Sequence, residues 1–133
     1  MKNKYQDLIE QTFDFPQEEF CLKNDRLIFR GINLMSLIDT YGSPLRFTFV
    51  PQIGRQIEKT REWFAKAIES QKYKGKYEFC YCTKSSHFSF VLEECAKHNS
   101  NIETSSAFDL DIVMNMYNKG LLGEKTYVLC NGY

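Results

Sequence analysis

The stretch YEFCYCTKSSHFSFVLEECAKHNSNIET, residues 77–104, decides the fold. Its opening, YEFCYCTK, is a run of aromatic and small apolar residues of the kind that fits a pleated, buried strand. A helical pattern follows, with Phe88, Val91, Leu92, Cys95 and Ala96 at the i, i+3, i+4, i+7, i+8 spacing of one helix face. Ser86 is the expected cap of this helix, and Lys97 and His98 stand where a helix carboxyl terminus favours cations. NIET, residues 101–104, then reads as a second strand. Strand, amphipathic helix and strand in this order predict a βα unit and a parallel sheet.

The pattern continues on both sides. Ser105 or Ser106 is placed to cap a further helix with Leu110, Val113, Met114 and Tyr117 on one face and Gly120 at its exit. KTYVLCNGY then starts another strand. Upstream, Pro51 to about Lys72 is amphipathic, with Ile53, Ile57, Phe64 and Ile68 on one face, and KYKGK after it is a solvated linker. LRFTFV, residues 45–50, reads as a strand, and Asn33 caps a short helix LMSLIDTY that Gly42, Ser43 and Pro44 stop. LKNDRLIFR, residues 22–30, is expected to form a short edge strand after a turn at Asn24 and Asp25.

At 133 residues and 43% apolar, the chain is long enough for one domain with a real core. Seventeen basic residues balance seventeen acidic ones, so charge alone recruits neither nucleic acid nor an anionic membrane. The amino terminus MKNKYQDLIEQ lacks an apolar leader, and no run approaches the roughly 20 apolar residues of a membrane span. A cytoplasmic protein with a small-molecule or protein partner is expected. Five cysteines in mostly apolar segments suit reduced side chains, and Cys80 and Cys82 with His87 lack the second ligand pair of a zinc site.

Alternation places Glu78, Cys80, Cys82 and Lys84 on one face of the strand and Phe79, Tyr81 and Thr83 on the other. The bulky face should meet the helices. Lys84 then stands at the carboxyl end of a parallel strand, where α/β folds build their sites. A lysine partly desolvated there loses its proton more readily, and its free amine condenses with an aldehyde. The competing reading is a surface cation that reaches from the strand end into water.

Three stretches together, YGSPLRFTF, YCTK with the later IETSSAFDL, and TYVLCNGY, resemble the fold type III pyridoxal-phosphate decarboxylases. That family carries its lysine at the end of the first strand of a (β/α)8 TIM barrel, after a tyrosine and two small residues. Within it the sequence is most similar to the biosynthetic arginine decarboxylases, over residues 22–133. The resemblance departs after the lysine, where Ser85, Ser86 and His87 stand in place of a small or apolar residue and asparagine.

The resemblance implies pyridoxal 5'-phosphate as cofactor, held by Lys84 through a Schiff base, with Glu103, Ser106 and His87 as further cofactor-binding residues and no metal. Read as residues alone, Ser106 and Asp109 also satisfy a capping box, Glu103 also suits a solvated strand end and His87 a surface position. The implied activity is decarboxylation of arginine to agmatine, with ornithine, lysine or diaminopimelate as other family substrates. Residues 1–30 are expected to carry a strand of a carboxyl-terminal β domain, and residues 31–133 the first βα units of the barrel. An incomplete, inactive amino-terminal part of a homodimeric enzyme follows from this, since the phosphate loop and the partner of the pyridine nitrogen come from later strands in the family. A catalytically silent relative that binds a partner, and a small free-standing α/β domain in which Lys84 is a surface cation, are the alternatives.

Overall fold

The computed structural model describes residues 19–132. The protein is mixed α/β and forms two compact units that divide between Phe47 and Thr48. Residues 1–18 and Tyr133, which closes the CNGY motif, lie outside the described residues.

The first unit is an antiparallel sheet of β1 (Phe20–Lys23), β2 (Arg26–Phe29) and β3 (Ile32–Asn33), followed by helix α1 (Leu34–Tyr41). Residues 22–30 are therefore not one strand but most of a hairpin, with Cys21 paired to Ile28 and Leu22 to Leu27. The turn explains the difference. Asn24 and Asp25 both take positive φ, 51° and 56°, which is the backbone of a tight two-residue hairpin connection and not of a loop leading into an isolated strand. Asn33 caps α1 as expected, its Oδ1 accepting from the N–H of Met35 at 3.0 Å.

Residues 45–50 form no strand, contrary to the sequence expectation. Their aromatic rings are used singly: Phe47 packs on Phe29 in the first unit, with ring centroids 5.7 Å apart, and Phe49 lies under the Arg55 guanidinium in the second. β-propensity without a ladder partner does not make a strand.

The second unit begins with α2 (Pro51–Ser70), which has proline in its first turn. It continues through β4 (Cys80–Cys82), a 3₁₀ turn (Thr83–Ser85), α3 (Ser89–Lys97), β5 (Asn101–Thr104), α4 (Ala107–Asn118) and β6 (Val128–Cys130). β4, β5 and β6 form a parallel sheet in sequence order, as the βα pattern requires. Its helix-facing side holds two apolar clusters bridged by Tyr81. Leu92, Ile102, Val113 and Met116 make one, and Ile57, Val91 and Cys95 the other, with Phe79 packed against the second. The bulky face of the 77–84 segment thus meets the helices, although only Cys80–Cys82 lie in the ladder.

Three local expectations are corrected. α3 begins at Ser89 with Phe88 in the cap position and no side-chain cap, so Ser86 does not cap it, and Phe88 is 54% exposed. The Ser86 carbonyl instead accepts a hydrogen bond from the Tyr81 hydroxyl at 3.4 Å. The buried face of α4 is Asp109, Val113 and Met116, while Leu110, Met114 and Tyr117 are exposed. In α2, Ile57 is buried but Phe64 is not, and its ring stacks on Tyr77 with centroids 3.9 Å apart.

The packing of α2 on α3 rests on a small residue and a cation. Gly54 is buried where a Cβ would overlap the His98 ring. Arg61 donates to the carbonyls of His98 and Asn99 at 2.7 and 2.9 Å, which occupies acceptors left open where α3 ends. Among the described residues, no helix is long and apolar enough to cross a membrane.

Candidate functional site

The parallel register aligns the strand ends. Cys82 of β4 pairs with Glu103 of β5, which pairs with Leu129 of β6. Side chains alternate across each strand, so Cys80, Cys82, Asn101, Glu103 and Leu129 share the side of the sheet away from Ile102 and the helices. The Cys80 thiol reports this placement: burial pushes it up, and the carboxylates of Glu103 and Glu78 add to the shift. No group of histidine, cysteine and acidic residues suited to a metal ion occurs among the described residues.

Lys84 follows β4 in the 3₁₀ turn and is exposed at the carboxyl end of the sheet. Among the described residues its ammonium has no hydrogen-bond or ion-pair partner. Glu103, two ladder rows back on the neighbouring strand, is partly buried, and its Oε1 accepts from Asn131 Nδ2 at 2.8 Å. Lys84 and Glu103 thus share one end of the sheet without forming an ion pair.

Ser106 and His87 are brought together through a third residue. Ser106 caps α4, its Oγ accepting from the Asp109 N–H at 3.3 Å. Asp109 is 1% exposed, and its Oδ2 accepts from the Ser105 N–H at 2.9 Å and from the Ser105 hydroxyl at 3.2 Å. His87 lies ahead of α3, not in its first turn, and its Nε2 stands 2.9 Å from Asp109 Oδ1. Thr83 Oγ1 and Asp109 Oδ1 are both buried without a well-aligned hydrogen bond among the described residues.

The backbone N–H of Ser105 is the main cause that holds the Asp109 carboxyl down at about 2; burial opposes it, and the hydroxyls of Ser106, Thr83 and Ser105 assist. A carboxylate depressed in the folded state stabilises fully above its ordinary value of 3.8 and loses that contribution as pH falls through about 2. Urea unfolding measured from pH 5 to pH 2 should therefore show stability falling with acid, and Asp109→Asn should flatten that part of the profile. An unchanged slope in the variant would contradict the assignment.

Asp109 and Asn131 are the residues of this region that sequence reading did not place in the site. The motif spacing contained Asp109 as a helix cap, but its approach to His87 depends on the β4–β5 register. Gly132 shows why CNGY ends as it does. Asn131 N–H donates to the Thr104 carbonyl at 2.7 Å, and a Cβ on Gly132 would stand 2.6 Å from the Ser105 carbonyl oxygen. Gly132→Ala forces β6 away from the start of α4, with an expected cost of about 1–3 kcal/mol in urea unfolding.

No family model and no curated protein matches the chain. Among solved structures it is similar to the crystal structure of the biosynthetic arginine decarboxylase SpeA from Campylobacter jejuni, with a TM-score of 0.66 and 21% identity. The likeness covers 100% of this chain and 22% of that one, so the chain spans about a fifth of the length of the structure it matches. At that identity the similarity is one of fold: this α/β arrangement resembles part of a larger decarboxylase.

Proposed function

We propose that these residues are part of a pyridoxal-phosphate-dependent amino-acid decarboxylase acting on arginine, with Lys84 as the residue that binds the cofactor aldehyde. One observation carries the reading. Lys84 is an exposed primary amine without a partner among the described residues, at the carboxyl end of a parallel strand, in a chain whose whole length matches an arginine decarboxylase in fold. The residues present fit the group, since an amine not committed to an ion pair is free to condense with an aldehyde. When bound, pyridoxal phosphate supplies the electron sink that carbon dioxide loss requires.

Each residue has a bounded role. Lys84 would supply the amine that holds the cofactor and would hold or move a proton at Nζ. Glu103, kept in place by Asn131, puts a carboxylate at the adjacent strand end, where it favours protonated groups nearby. Ser106 spends its acceptor on the helix cap and retains its O–H as a donor. In the longer protein the strands are proposed to continue into a (β/α)8 barrel with a carboxyl-terminal β domain, working as a cytoplasmic homodimer.

The test is release of carbon dioxide from carboxyl-labelled arginine, ornithine, lysine and diaminopimelate by the complete gene product supplied with pyridoxal phosphate. Release from arginine is expected. Release from another of the four would move the substrate within the family, and release from none would favour a silent relative that binds a partner.

A further inference from the structure

We propose that Asp109 is a positioning residue for Lys84: one buried carboxylate holds the lysine-bearing turn through His87 and ties it to the start of α4. The meaning of the clamp for catalysis rests on the function proposed above; the clamp itself rests on the approach of His87 Nε2 to Asp109 Oδ1.

Oδ2 of Asp109 is satisfied within its own segment by the backbone and hydroxyl of Ser105, at 2.9 and 3.2 Å. A helix cap needs no more than this. Oδ1 is also buried, and leaving a carboxylate oxygen dry costs free energy unless something polar meets it. What meets it comes from the other βα unit. His87 Nε2 stands 2.9 Å away.

Thr83 and His87 bracket the sequence Lys84, Ser85, Ser86. Between them the Ser86 carbonyl accepts from the Tyr81 hydroxyl, and Tyr81 is itself packed in both apolar clusters. The turn is therefore held by the burial of Thr83 before Lys84 and by Ser86 and His87 after it, while the ammonium stays exposed and without a partner among the described residues. His87 spans the boundary, with its side chain 56% exposed and one ring nitrogen on a carboxylate whose side chain is 1% exposed. Holding the backbone without engaging Nζ keeps the amine aimed and available, and orientation of a reacting group is worth large factors in rate.

The experiment uses the complete protein and the variants His87→Ala, His87→Gln and Asp109→Asn. The first readout, without cofactor, is the rate at which trypsin cuts the folded protein after Lys84, with cleavage after Lys72 and Lys97 as internal controls. His87→Ala should accelerate cutting after Lys84 alone. His87→Gln, which keeps an N–H at similar reach, should restore the slow rate. The second readout is the rate of borohydride-trapped labelling of Lys84 by pyridoxal phosphate, expected to fall about tenfold in His87→Ala and to recover in His87→Gln.

Asp109→Asn should behave as His87→Ala at Lys84, and if it fails to fold the His87 pair still decides. Equal cutting after Lys84 in wild type and His87→Ala overturns the clamp, as does acceleration at all three lysines together or failure of glutamine to rescue. Absence of cofactor labelling on wild-type Lys84 would instead sink the proposed function, and leaves the proteolysis result to judge the clamp.

Discussion

Under the proposed function, Lys84→Arg is expected to lower carbon dioxide release by the complete protein by a factor on the order of 10³ or more. The substitution keeps the positive charge and most of the reach. It removes the one property the proposal needs, because a guanidinium stays protonated and does not supply a free amine for condensation with an aldehyde. Lys84 is exposed and without a partner among the described residues, so thermal unfolding should be nearly unchanged. Loss of activity with retained stability separates chemistry from folding. Retained turnover in the arginine variant would show that Lys84 is a surface cation.

Leu92→Ala carries the largest expected effect on stability, about 2–5 kcal/mol by urea unfolding. Leu92 is 0% exposed in the cluster with Ile102, Val113 and Met116, where α3 and α4 meet the sheet. Truncation removes apolar contact and leaves a cavity that strand, helix and neighbouring helix cannot easily close. Phe108→Ser is the control, since Phe108 is 80% exposed and its loss should change stability by less than about 0.5 kcal/mol. Equal effects of the two substitutions would mean that the core lies elsewhere.

The features legible in the sequence were those set by local pattern under strong burial. NIET forms β5 with the expected bounds, and Val91, Leu92 and Cys95 are the buried positions of α3. Asn33 and Ser106 cap their helices because a side-chain acceptor two or three residues ahead of an orphan N–H is a local arrangement. The misses are of a different kind. α4 has apolar residues almost around its circumference, FDLDIVMNMY, so periodicity does not choose between the Leu110–Met114–Tyr117 stripe and the Val113–Met116 stripe that the sheet covers. Ser86 stands two residues ahead of the cap position of α3, Phe88, because the 3₁₀ turn and the residues after it use chain that a direct strand-to-helix step would not.

The candidate site divides in the same way. The strand end gave Lys84 its place just after β4, in a 3₁₀ turn that strand alternation does not describe, and pairing of β4 with β5 puts Glu103 at the same end. The approach of His87 to Asp109 joins residues 22 positions apart and follows from tertiary register, which no local pattern records. The comparison with the solved structure covers all of this chain at a sequence identity of 21%, which is a likeness of fold. The cofactor roles proposed for Lys84, Glu103, Ser106 and His87 come from the family resemblance, and chemistry is where they are most directly tested.

The decisive measurement is borohydride reduction of the complete protein in the presence of pyridoxal phosphate, followed by mapping of the pyridoxylated peptide. Label concentrated on Lys84 is the predicted result. Label on another lysine, or spread evenly over the surface lysines, would contradict the account.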